Sequence, residues 1–143
     1  MHSFLLQDIV TIKGTSANTS IAQVEHEYLD LEAYQDFTGW VEVFALDAGG
    51  AGLPTLWLET APLKDNALFV PQGGSQTRVP LSVGVLTGRN VMNAPMFDNL
   101  GRLQIPTARW LRWRLDIFVA SSNWSVTFRI HVAAHSVCLP RAS

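Results

Sequence analysis

Arg109 to His135 reads RWLRWRLDIFVASSNWSVTFRIHVAAH, and its alternation decides the fold class. Leu111, Trp113, Leu115, Ile117 and Val119 put an apolar side chain at every second position, with Arg112, Arg114 and Asp116 between them. That is the period of a half-buried strand. The return limb repeats it, with Trp124, Val126, Phe128, Ile130, Val132 and Ala134 in the apolar row and Ser125, Thr127, Arg129, His131 and His135 in the polar one. Small polar residues, Ala120-Ser121-Ser122-Asn123, suit a tight turn between the limbs. The expectation is a C-terminal β-hairpin over 109–135 whose parity pairs Val119 with Trp124, Ile117 with Val126, Leu115 with Phe128 and Trp113 with Ile130. In that register Arg114 opposes Arg129 and Arg112 opposes His131, so like charges face each other and call for an external acidic neighbour.

Working back toward the amino terminus, strands alternate with turn signals. Val79, Leu81, Val83 and Val85 alternate over 79–86, and Pro80 within that run requires a sheet margin or a bulge. Further strands are expected over 66–71, 54–61 and 8–13, and over 40–46, where both faces are apolar. Such a strand is buried on two sides, or has one side in the core and one against a partner. Residues 24–31 favour a strand, with about three turns of helix over 22–33 as the competing reading. Residues 14–20, 47–52 and 72–77 are flexible polar or glycine-rich loops. Residues 87–107 lose periodicity while keeping Met92, Met96 and Phe97, and a long segment of that kind is often functional. The expected architecture is all-β, a two-sheet antiparallel β-sandwich of about eight strands, jelly-roll-like, with an immunoglobulin-like order as the seven-strand alternative. Its expected divisions are an apolar arm at 1–7, the sandwich at 8–137 and a tail at 138–143.

Composition narrows the function classes. The chain has 143 residues, 48% hydrophobic and only 15% charged, with a net charge of -2. A typical charged share is about 25%. So sparse a charge suggests an exterior partly covered by other subunits. The acidic balance argues against a nucleic-acid partner. The single Cys138 supports no internal disulfide framework and reads as an inert thiol. No stretch approaches the ~18 apolar residues of a membrane span. Nor does the start, Met1 to Asp8, resemble a signal peptide, so cytosolic folding is expected.

No catalytic constellation is legible. There is no Gly-x-Ser-x-Gly elbow. His131 and His135 stand ~13 Å apart if the strand rises about 3.3 Å per residue, which is too far for one metal ion. Hence no catalytic residue, metal ligand or cofactor is expected. Candidate interface residues are instead Phe4, Leu5 and Leu6 of the arm, Met92, Met96 and Phe97 of the long segment, and Arg112, Arg114 and Arg129. Two tryptophans off the core rows, Trp57 and Trp110, offer the alternative of a carbohydrate platform, because aromatic faces stack on sugar rings.

Leu56-Trp57-Leu58-Glu59-Thr60-Ala61-Pro62, Phe69-Val70-Pro71, Leu111-Arg112-Trp113-Arg114-Leu115 and Trp124-Ser125-Val126-Thr127-Phe128-Arg129-Ile130 give the chain its texture. In that texture, over about two thirds of its length, it resembles the small β-sandwich proteins that decorate or stabilise the capsids of tailed phages and phage-like particles. The resemblance implies a non-enzymatic structural subunit of a virion or similar particle, made in the host cytoplasm. Its partners would be other structural subunits, with homo-oligomerisation expected and a surface glycan as the alternative ligand. The resemblance rests on no specific motif, so no functional residue is carried over from it.

Overall fold

The computed structural model of the chain describes residues 2–15, 19–34, 36–50, 54–71, 78–90, 108–118 and 122–135. Among these residues ten strands run in chain order as β1 (His2–Gly14), β2 (Thr19–Ala22), β3 (Leu29–Asp30), β4 (Asp36–Asp47) and β5 (Thr55–Ala61). They continue as β6 (Val70–Pro71), β7 (Arg78–Pro80), β8 (Gly84–Asn90), β9 (Trp110–Ile117) and β10 (Trp124–His135). One sheet has the order β1-β10-β4-β8, and the other β2-β9-β5-β6, with β3 also on β9 and β7 also on β5. Every pairing is antiparallel. Because β5 runs along one whole side of β9, β2 and β3 share the other side. By the same argument β6 and β7 share the free side of β5. The result, among the described residues, is two sheets of four strand positions each, eight in all, in which every successive pair of positions changes sheet except β5 and the β6/β7 position beside it. That winding is a jelly roll, as the strand pattern predicts.

The C-terminal pair corrects the hairpin expectation. β9 and β10 are strands within one or two residues of where alternation puts them, but they lie in opposite sheets. β9 pairs with β2, β3 and β5, and β10 with β1 and β4. A chain that crosses from one sheet to the other points its two apolar rows at each other just as a hairpin points them at one core, so parity alone cannot separate the two cases. The rows meet face to face. The rings of Trp113 and Phe128 are edge-to-face with centroids 5.1 Å apart, and both are buried. Leu111, Leu115, Ile117, Trp124, Val126, Ile130 and Val132 complete the centre with Val41, Val43, Leu56 and Leu58.

Other local departures have identifiable causes. Residues 2–7 are the first half of β1 and not a separate arm: His2 pairs with Ala134, and Leu6 enters the core. Residues 24–31 form neither one strand nor three helical turns, but a single 3-10 turn at Glu25–Glu27 followed by the two-residue β3. A similar turn at Asn66–Leu68, capped by the Asp65 carboxylate accepting from the Ala67 N–H, replaces the first half of the strand expected at 66–71. The run 79–86 is cut in two, with β7 in one sheet and β8 in the other. Gly84, at φ +131°, follows the crossing, a backbone conformation that favours glycine. Val79 and Leu81 are therefore core residues while Val83 and Val85 face solvent. Pro80 does lie on a margin, as its missing N–H demands. Gly14 is needed for packing: a Cβ there would run into the Trp124 indole.

Candidate functional site

Three places on this scaffold concentrate chemistry. The first is the outer face of β9 and β5. Register sets Glu59 against Arg112 and Trp57 against Arg114. Glu59 is fully buried, its Oε1 3.1 Å from Arg112 Nε and its Oε2 2.7 Å from Arg114 Nη1. Arg114 Nε also lies 3.3 Å from Asp116 Oδ1, an oxygen that accepts from the Ser20 hydroxyl at 2.6 Å. Tyr28, Asn66 and Phe69 close over Arg112. Its Nη1 donates to Tyr28 Oη and Asn66 Oδ1, and its guanidinium carbon sits 4.0 Å from the Phe69 ring centre. Two arginines and two carboxylates make this cluster formally neutral. Every carboxylate is engaged, so its chemistry is that of an electrostatic staple holding the two 3-10 turns against the second sheet.

The second place is the outer face of the first sheet. Leu5, His131, Trp40 and Thr87 stand in register across all four strands, and Arg129, Glu42 and Val85 form the adjoining row. Glu42 Oε2 accepts from Arg129 Nε at 2.6 Å and lies 3.4 Å from His131 Nε2. These charges are therefore closed on one another. Around them Leu5, Trp40, Phe44 and Val85 are exposed, at 50%, 37%, 49% and 64%. Phe44 faces outward by the same alternation as Trp40 and Glu42, and the register shift of β4 that follows Val43 leaves Ala45 exposed beside it and turns Leu46 back against the core. The two-faced apolar character of 40–46 thus resolves into one core side and one side open to water.

The third place is a cleft of about 480 Å³ at the end of the first sheet, lined by Lys13, Gly14, Thr15, Asp47, Asn123, Trp124 and Ser125. Trp124 Nε1 is buried beside it without a hydrogen-bond partner. Among the described residues no group of three or more His, Cys, Asp or Glu could hold a metal ion. Nor is any helix there long and apolar enough to cross a membrane.

The residues singled out from sequence distribute unevenly over these places. Leu6 is core and Phe4 packs against the core, so of the arm residues only Leu5 is exposed. Arg112 is buried, Arg114 is half-buried, and both are neutralised inside the chain by Glu59 rather than by a neighbour. The like-charge opposition with Arg129 does not arise, because Arg129 opposes Glu42. Met92, Met96, Phe97, Cys138 and most of the 87–107 segment lie outside the described residues. Trp110 is half-buried, with Lys64 Nζ 4.4 Å and the Arg109 guanidinium 4.9 Å from its ring centre. Trp57 is half-buried with Arg114 over its ring at 5.6 Å. Arg109 in turn donates to Asp30. That bond, with the N–H of Glu32, holds the Asp30 carboxyl below the usual carboxylate range. Sequence reasoning missed Glu59, an acid inside an apolar strand whose only signal was its place on the outward row.

No family model and no curated protein matches the chain. A solved structure described as "Bacillus endospore appendages form a novel family of disulfide-linked pili" contains a chain 14% identical, over 92% of this chain and 89% of that one. The TM-score of that match is 0.30, too low to carry any functional argument.

Proposed function

We propose that this chain is a non-enzymatic structural subunit that works by packing against other subunits, further copies of itself among them, through the outer face of its first sheet. The observation that carries this reading is the pairing of exposed Trp40, Phe44, Leu5 and Val85 with charges that neutralise each other locally. In these two rows a second copy meets a cation already paired with its carboxylate, and aromatic side chains dominate the energetics of subunit contacts. Four strands at about 4.8 Å and some ten residues at about 3.3 Å give a footprint on the order of 650 Å², near the ~800 Å² per partner of a stable interface. The kind of assembly that best fits is a phage-like particle, in which the chain decorates or stabilises a capsid. This rests on the strand texture and on the frequency of jelly rolls among capsid proteins, a fold-level analogy. The arginines first assigned to the interface act within the subunit instead, and the sugar-platform alternative has cations against both of its tryptophans.

Sedimentation or light scattering over a concentration series tests the reading. Self-association at micromolar concentration is expected. It should be lost in a Trp40→Glu/Phe44→Glu variant, which keeps its circular dichroism because both side chains are exposed. A wild-type chain that stays monomeric at 100-fold higher concentration overturns it.

A further inference from the structure

Among the described residues four sheet margins are present, and three of them are blunted. β1 is interrupted by register shifts at Leu5/Gln7 and Gln7/Val10 and carries Asp8 and Lys13. One margin of the second sheet is made of the four-residue β2 and the two-residue β3. The other is made of β6 and β7, two and three residues long, ending in Pro71 and Pro80. Bulges, charge, shortness and proline are the devices by which sheets avoid adding a foreign strand. β8 has only the single charge of Arg89. Its seven residues pair with β4 in unbroken register from Val43↔Gly84 to Phe37↔Asn90. The strand contains no proline, and its only charged residue is Arg89. Val83 and Val85, at its start, are the two most exposed large apolar side chains among the described residues, at 66% and 64%.

We infer that β8 is the strand by which two copies of this chain join, edge to edge and antiparallel about a two-fold axis, making one eight-stranded sheet from two four-stranded ones. This deepens the assembly reading and rests on it. An antiparallel pair of identical strands is self-complementary under a two-fold axis, so the edge needs no second kind of partner. With a single charge on the strand, every register except Arg89 against Arg89 avoids like-charge opposition. The register that sets Leu86 against itself puts Val85 opposite Thr87 on the outer face and Gly84 opposite Gly88. Joining the edges also continues the outer surface that carries Trp40 and Val85 across the axis, so the two outer faces become one larger surface for packing further copies.

Two variants test the edge. In a Cys138→Ser background, Val85→Cys/Thr87→Cys places a thiol within reach of its counterpart in each of the central registers, 85 with 87, 85 with 85 or 87 with 87. Mild oxidation should give a covalent dimer on a non-reducing gel, while Thr11→Cys on β1 in the same background should give none. Independently, Val85→Lys/Thr87→Lys should raise the dimer dissociation constant at least tenfold, and mixing it with Val85→Glu/Thr87→Glu should restore association. Both positions are exposed, so the fold should persist. If the wild type self-associates but the lysine variant does so equally and the thiols do not cross-link, the edge proposal falls while the assembly reading stands. If the wild type is monomeric throughout, both fall, and so they do if β8 captures only the strand of a different protein.

Discussion

Removing the Glu59 carboxylate should be among the most damaging single polar changes available on this chain. Glu59 is fully buried and is the anion shared by Arg112 and Arg114, whose side chains are 5% and 28% exposed. In Glu59→Gln the shape is kept, but Arg112 becomes a buried cation with only the neutral Tyr28 and Asn66 oxygens and the Phe69 ring around it. Asp116 lies against Arg114, not Arg112, so the remaining anion does not replace the lost one. Breaking one side of a buried pair costs about 3–5 kcal/mol, because the other charge stays desolvated. At roughly 3 °C per kcal/mol for a chain of this size, that is a fall in Tm of ~9–15 °C. The control is Glu42→Gln, which removes the partner of Arg129 in a pair whose side chains are 27% and 32% exposed. Pairs in contact with water contribute about 0–1 kcal/mol, so its Tm should move by no more than ~3 °C. Urea unfolding with an unchanged m-value gives the same comparison at constant temperature. Equal small effects of the two substitutions would refute the view that burial, rather than charge pairing as such, makes the Glu59 cluster structural.

Three other outcomes follow from named contacts. Phe128→Ala removes a fully buried ring and its edge-to-face contact with Trp113, and should lower stability by about 3–5 kcal/mol in urea. Gly14→Ala drives a methyl group into the buried Trp124 indole, so it should cost about 1–3 kcal/mol and change the near-UV circular dichroism, whereas Thr11→Ala on the same strand should leave that spectrum intact. Asp30 has its carboxyl pKa held below the ordinary carboxylate range in the folded state, first by the hydrogen bond from Arg109 and then by the Glu32 N–H. Its contribution is therefore present above about pH 4 and lost as pH falls through the lowered folded value. The difference in urea midpoint between wild type and Asp30→Asn should be constant from pH 7 to pH 5 and close in more acidic buffer.

What the amino-acid sequence determined by itself was the local periodicity and hence the class. Alternation marked β9, β10, β4 and β5, and the inward rows of β9 and β10, because side-chain direction along a strand is fixed by backbone geometry two residues at a time. Pro80 on a margin was legible for the same kind of reason, a missing donor. Tertiary structure alone decided which sheet each strand joined. The apolar rows of β9 and β10 satisfy a hairpin and a crossing equally, and only the presence of β1, β4, β5 and β2 beside them selects the crossing. That choice rewrote the electrostatics. Arg114, read as opposed to Arg129, finds Glu59 and Asp116, and the cluster is buried because two 3-10 turns that no periodicity announces fold over it. The exposure of Val83 and Val85 belongs to the same level, since the change of sheet after Leu81 reverses their row, as the register shift of β4 reverses Leu46, without altering a residue. Neighbours in sequence fix which way a side chain points; only neighbours in space fix what it points at.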